Sequence, residues 1–339
     1  MMFRSPVTAI FREPDGVIPN SAVLLWTSVV WLVSFRWMGN ESLALNVIGV
    51  LACVHTMVLA SYLVHEAAHC TLFASPNSNQ WAGEWVSFIA GASYASFGRI
   101  RHMHLRHRRD RADVACFDFK RLMHRKPWLK RTLQALEWAY IPATEMLMHL
   151  QIVWRPFFVT SQRKYLPRSL GMLLLRGSLL TLLALWSPKA LALYSVAYIV
   201  LLHVLNFFDA FHHTFEQFFV EANEPVPTDG RDRVYEQANT YSTVVSASFP
   251  LLNLLTLNFG YHNAHHEKAA VPWYRLPALH RELYGNAAAS MMPLGELLRT
   301  WHRHRVRRVA SENYGAPAQD GRRADSFVGA HGVSFLTVP

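Results

Sequence analysis

Charge is scarce in this chain of 339 residues: Asp, Glu, Lys and Arg make up 17% of it, against about 25% in ordinary soluble domains. Acidic residues are the scarcer kind, 23 against 33 basic, for a formal charge of +10. Cysteine is nearly absent. Cys53, Cys70 and Cys116 are scattered, and none forms a C-x-x-C pair. That excludes a disulfide framework and a built-in cysteine-ligated iron–sulfur or rubredoxin domain. No internal repeat is visible, and no cleavable leader either. The first apolar run follows the mixed charges of "FREPDG" and has no small-residue cleavage site before Arg36, so it is expected to be retained as a membrane span.

Apolar residues fill the space that charge leaves, with 51% hydrophobic and 13% aromatic. Gly16 to Phe35 and Ser42 to Val64 carry no charge. Ser169 to Pro188 is interrupted only by Arg176, and Ala190 to Phe208 is clean. Each run is close to the roughly 20 residues that a spanning helix needs. The expected fold is therefore an all-α integral membrane protein with about four transmembrane helices. Residues 80–98 are aromatic and read as an interfacial or re-entrant helix, and 138–160 as an interfacial one. Residues 221–237 form a charged loop, and 247–260 are apolar but short. Residues 1–20 read as a polar leader and 21–302 as the membrane domain. Residues 303–339, without apolar periodicity, are expected to be a disordered tail. Arg176 either faces the protein interior or meets a polar substrate head.

Ten of the 18 histidines fall in four short clusters. "HEAAH" holds His65 and His69, and "RHMHLRH" holds His102, His104 and His107. "DAFHH" holds His212 and His213, and "YHNAHH" holds His262, His265 and His266. Taken alone, H-E-x-x-H is a zinc peptidase pattern. Two histidines four apart share a helical face, and Glu66 beside them would be the general base. A tetrahedral zinc takes four ligands, so ten clustered histidines argue for two metals.

Charge placement gives an independent argument. Twelve Lys or Arg residues lie between Arg99 and Arg131, and short Lys/Arg-rich segments stay cytoplasmic. With the amino terminus inside, the second and fourth spans end just before His65 and His212. All four clusters then lie on one cytoplasmic face, in a helical cap. A transporter would place its ligands near mid-membrane instead.

This pattern resembles the membrane fatty-acid desaturase and hydroxylase superfamily over roughly residues 40–285. "HEAAH" after a span resembles the first histidine box. "NFGYHNAHHEKAAVPWYRLPALHREL" resembles the last, and "DAFHH" occupies the place of the family's additional ligand, leaving His212 or His213 to supply it. The second box departs from the pattern, because Arg108 stands where a third histidine belongs. Arginine does not ligate a metal at ordinary pH, so either His102 substitutes or the shell has one ligand fewer.

The resemblance implies a non-haem pair of irons with molecular oxygen as co-substrate. The reaction it implies first is introduction of a double bond into a fatty acid or acyl lipid. Hydroxylation and oxidative decarboxylation to a terminal alkene are the alternatives, and an intramembrane zinc metalloprotease is a distant one. Glu66 and Asp209 are candidates to accept N–H bonds from ligating histidines, with Asp110, Asp113 and Glu267 also beside the boxes. Electrons are expected from an external ferredoxin- or cytochrome-like donor docking on the basic 99–131 region. No nucleic acid is expected as a partner.

Overall fold

The computed structural model describes residues 10–115, 118–219, 226–227, 229–285, 291–318, 323–334 and 336. Cys116 and the start of the 221–237 loop therefore lie outside the described residues. The helices, in chain order, are α1 (Val17–Met38), α2 (Leu43–Ala68), α3 (Pro76–Ile89), α4 (Phe97–Asp110), α5 (Phe119–Arg125), α6 (Pro127–Trp138) and α7 (Ala143–Phe158). After them come α8 (Leu166–Trp186), α9 (Pro188–His212), α10 (Arg233–Ala238), α11 (His262–Glu267), α12 (Leu276–Tyr284) and α13 (Leu294–Arg308). Strands are limited to one parallel pair among the described residues, β1 (Asp113–Ala115) with β2 (Gln217–Phe219).

Four helical segments are long and apolar enough to cross a membrane: Pro14–Met38, Leu43–Ala68, Thr160–Trp186 and Pro188–His212. These are the four runs read from the sequence. Burial supports a lipid-facing role for the third, since within α8 only Ser169 is buried. Residues 80–98 break into the end of α3, a turn and the start of α4, with Trp81 and Trp85 exposed. Residues 250–256 form only a 3-10 turn, too short to span.

The chain separates into two compact units, each drawn from separate segments. The first comprises Met1–Arg101, His149–Leu202 and Val338–Pro339; the second comprises His102–Met148 and His203–Thr337. In the first unit α1 and α2 form a hairpin. Gly49 allows their backbones to approach, because a Cβ there would lie 2.9 Å from the Met38 amide nitrogen. Asn46 locks the turn, with its amide donating to the carbonyls of Trp37, Met38 and Asn40 at 2.9, 3.1 and 2.8 Å. Those carbonyls lie at and just past the end of α1, where helix acceptors lack intrahelical partners. Arg176 faces protein in this unit. Its guanidinium donates to the Phe88 carbonyl at 2.5 Å and to Ser93 Oγ at 3.0 Å.

Among the described residues of the second unit, three apolar clusters form. Phe207, Phe208 and Phe211 pack with Leu297, Trp301 and Phe327. Phe119, Met123, Leu133 and Met148 pack with Val309. Val244, Tyr261 and Ala264 pack with Leu276 and Leu279. The segment expected to be disordered contributes to two of them. α13 extends to Arg308, and Phe327, Val328, Ala330 and His331 are buried. Its apolar residues are too few and too irregularly spaced to show as a helix or strand. They bury one by one along an irregular chain.

Asn46→Ala removes three carbonyl contacts at once, one of them buried, with net hydrogen bonds worth about 1 kcal/mol each and about 1–3 kcal/mol more where a buried acceptor is left unpaired. Detergent-solubilised Asn46→Ala is expected to unfold at a clearly lower temperature than the wild-type chain. An unchanged midpoint would show that the hairpin does not rely on this cap.

Candidate metal centre

The second unit gathers three of the four histidine clusters. α4 carries His104 and His107 three residues apart, a spacing that puts both on one face. α9 delivers His212 at its last turn, and His213 follows it. α11 is a single buried turn holding His262, His265 and His266. Gly260 sets the approach of this turn: a Cβ there would lie 2.7 Å from the Thr243 carbonyl oxygen. Asn263 pins it further, donating to the Thr240 carbonyl at 2.6 Å.

One ring nitrogen from each of His107, His213 and His266 lies within 4.8 Å of the other two. His213 Nε2 also lies 2.9 Å from His262 Nε2, and His212 stacks on His262 at 4.2 Å between centroids. His104 and His265 bring ring nitrogens within 4.8 Å of each other. In the first unit His65 and His69 do the same at the end of α2, with ring centroids 4.8 Å apart.

Hydrogen bonding fixes the tautomers of the central three. His107 Nδ1 is 2.8 Å from the Ala112 carbonyl, which can only accept. His266 Nδ1 is 2.8 Å from a Glu236 carboxylate oxygen. His213 Nδ1 is 3.3 Å from Thr240 Oγ1, whose own hydrogen goes to the Glu236 carbonyl at 2.7 Å. Each Nδ1 therefore carries the hydrogen, and each Nε2 keeps a lone pair for a metal. This is the usual way a protein orients a ligating imidazole. Burial pushes the His107 imidazole down to about 4, with the Arg108 charge adding to it. His213 and His266 are also held well below the ordinary histidine range, first by burial and then by neighbouring positive charge. Neutral imidazole is the metal-binding form.

Arg108 supplies support rather than a ligand. It donates to the His266 carbonyl at 2.6 Å, at the end of α11. It also approaches Glu236 Oε1 at 3.8 Å, the same oxygen that holds His266. Burial lowers the guanidinium to about 10, partly offset by Glu236, so it stays charged at neutral pH. Arg111 donates to the other Glu236 oxygen at 2.8 Å. One carboxylate thus accepts from an imidazole and one guanidinium, with a second guanidinium 3.8 Å away.

The remaining sequence candidates separate clearly. His102 is exposed and lies outside the histidine groups that come together. Two positions before His104 on an α-helix is a rotation of about 200°, which turns it away. Asp209 makes no hydrogen bond to His213, whose Nδ1 is taken by Thr240. Asp110 pairs with Arg106 and Arg109, and Glu267 pairs with Arg233. Asp113 lies 3.4 Å from His107 Nδ1. Glu66 lies 3.5 Å from His65 Nδ1 and accepts from Thr71 Oγ1 at 2.6 Å. Glu236 and Thr240 were missed by sequence reasoning. Their i,i+4 spacing after a proline-rich loop is the only trace they leave, and it resembles any solvated helix.

The fatty acid desaturase family profile matches residues 42–297, which include all four histidine clusters. The chain belongs to the fatty acid desaturase family. It is also similar to a sphingolipid delta(4)-desaturase of Candida albicans, at 25% identity over 228 residues, covering 64% of this chain and 56% of that relative. The chain thus spans little more than half the length of that curated relative. No solved structure matches it.

Glu236→Gln removes the charge that holds His266, Arg108 and Arg111 together. It is expected to weaken metal binding by about 10–100-fold, read by competition with a chelator of known affinity. Equal affinity would show that Glu236 does not orient the site. A pH effect follows from His107. Below an unfolded-state value of about 6.5, the unfolded chain takes up a proton that the folded, metal-free protein refuses until about pH 4. Stability of the metal-free protein is therefore expected to fall as pH drops through that window. His107→Gln should flatten the fall in a thermal-unfolding series.

Proposed function

We propose that this chain is an oxygen-dependent membrane oxidoreductase that introduces a double bond into the hydrocarbon chain of a fatty acid or acyl lipid. The observation that carries this reading is the cluster of neutral, Nε2-presenting imidazoles from separate boxes, in a chain that belongs to this family. The donor set fits iron, since imidazole suits it and each central histidine is already oriented through Nδ1. Two irons would supply oxygen activation and the oxidising power to break an unactivated C–H bond. His104, His107, His262, His265, His266 and one or both of His212 and His213 are the residues to hold them. The first box, His65 and His69, joins this set on the family pattern.

The chain's own residues do the positioning. Glu236, Thr240 and the Ala112 carbonyl hold three Nδ1 protons in place, so the imidazoles offer lone pairs at Nε2. Arg111 donates to Glu236, and Arg108 lies beside it. Burial excludes water and keeps the rings neutral. The four spanning segments place the protein in the bilayer, from which an apolar chain would enter. The basic cluster fits a cytoplasmic orientation of the site. The name of the Candida relative makes a sphingolipid the first acyl lipid to try.

Electrons would come from an acidic external donor. Arg108 and Arg111 are occupied by Glu236, so the docking charges are those left exposed: Arg109, Arg121, Arg125, Lys126 and Arg131. Reconstituted protein with reductant, oxygen and labelled acyl substrates is expected to yield products lighter by two hydrogens. A product heavier by one oxygen would make it a hydroxylase, one short of its carboxyl group a decarboxylase, and peptide cleavage with a single zinc a protease. Arg121→Glu with Arg125→Glu is expected to lower donor-supported turnover several-fold and flatten its salt dependence. Unchanged salt dependence would rule out docking there.

A further inference from the structure

A second group of metal-ligand side chains lies in the second unit, built from residues that the histidine boxes do not use. Glu137 stands in the last turn of α6, Glu145 in the first turn of α7, and His331 in the carboxy-terminal segment. One ligand atom from each lies within 4.8 Å of the other two. All three are buried, at 3%, 8% and 2% exposure. Both ring nitrogens of His331, both carboxylate oxygens of Glu145 and Oε1 of Glu137 have no hydrogen-bond partner among the described residues. The approach of His331 Nδ1 to Glu145 Oε1 is 3.6 Å, too long for a hydrogen bond.

The segment that brings His331 here is held by main-chain bonds. The Ala330 amide donates to the Ala210 carbonyl at 2.8 Å, and the Gly329 amide to the Tyr314 carbonyl at 2.9 Å. Arg308 donates to the Val328 carbonyl at 2.6 Å. Gly332, at φ +67°, allows the segment to pass Phe119, since a Cβ there would lie 2.2 Å from the ring. His331 meets the same ring edge-on, with centroids 6.0 Å apart. A segment with this little regular structure positions an imidazole against two buried carboxylates.

Leaving buried acceptors unpaired is costly, about 1–3 kcal/mol for each group. The Arg308 charge offsets part of the carboxylate charge without donating a hydrogen bond to either. A proton shared between the two carboxyl groups would satisfy one pair of atoms and leave the imidazole unpartnered. A divalent cation takes one atom from each of the three side chains at once. Two carboxylates and one imidazole form a hard-to-borderline donor set that suits zinc, manganese or ferrous iron. We propose that Glu137, Glu145 and His331 form a mononuclear divalent-cation site, separate from the histidine boxes, that fastens the carboxy-terminal segment to α6 and α7.

The test is the metal content of the full chain in nanodiscs, loaded with zinc alone. His331→Gln and Glu145→Gln are each expected to hold one zinc per chain fewer than wild type. The loss should add to that of His213→Gln, which reports on the boxes. Equal zinc in His331→Gln and wild type would overturn the proposal and leave the cluster a proton-sharing network. Should both variants fail to fold, proteolysis of a chain that keeps Glu137, Glu145 and His331 decides. Trypsin is expected to cut beyond Arg308 faster after chelation and to slow again when zinc is restored in the His213→Gln background. Protection that ignores zinc in that background would equally overturn it.

Discussion

The carboxylate of Glu236 is the contact on which the arrangement of the clustered histidines depends. Its two oxygens receive His266 Nδ1 and the Arg111 guanidinium, with Arg108 nearby. Its main-chain carbonyl receives the Thr240 hydroxyl that orients His213. A single residue thus fixes ligands from two boxes and ties them to the helix that carries the second. Such concentration follows from burial. An imidazole removed from water needs an acceptor for its N–H, and a buried acceptor of this charge needs cations of its own. The two arginines provide them.

The same network explains a departure in the second box. With arginine at position 108 in place of a third histidine, the site exchanges a donor of lone pairs for a donor of hydrogen bonds. Arg108 reaches the last carbonyls of α11 and steadies the turn holding His262, His265 and His266. An electrostatic brace stands where the family pattern has a third histidine, and His102 is exposed.

The spanning helices were legible because uncharged runs of their length have one physical reading in a chain this poor in charge. The histidine boxes were legible because i,i+3 and i,i+4 spacing survives in any helix. Glu236 was not, since its role depends on a long-range contact with α11 that leaves no local period. The hydrogen-bond acceptors for His107 and His213 were equally hidden: one is a main-chain carbonyl and the other a threonine hydroxyl. Asp209, four residues from His213, had the better spacing and no bond. The burial of residues in the carboxy-terminal segment was hidden for a related reason. Its order comes from isolated residues, Phe327 and His331 among them, filling gaps between helices rather than from periodicity. The "HEAAH" stretch shows the opposite error: a strong local pattern favoured a peptidase until the other clusters were counted.

Whether His107, His213 and His266 bind metal through Nε2, while Ala112, Thr240 and Glu236 hold their Nδ1 hydrogens, is decided by a structure of the iron-loaded protein. Metal–Nε2 bonds from all three rings, with the three Nδ1 contacts retained, are expected. Ligation through Nδ1, or iron bound away from these three rings, would contradict this assignment.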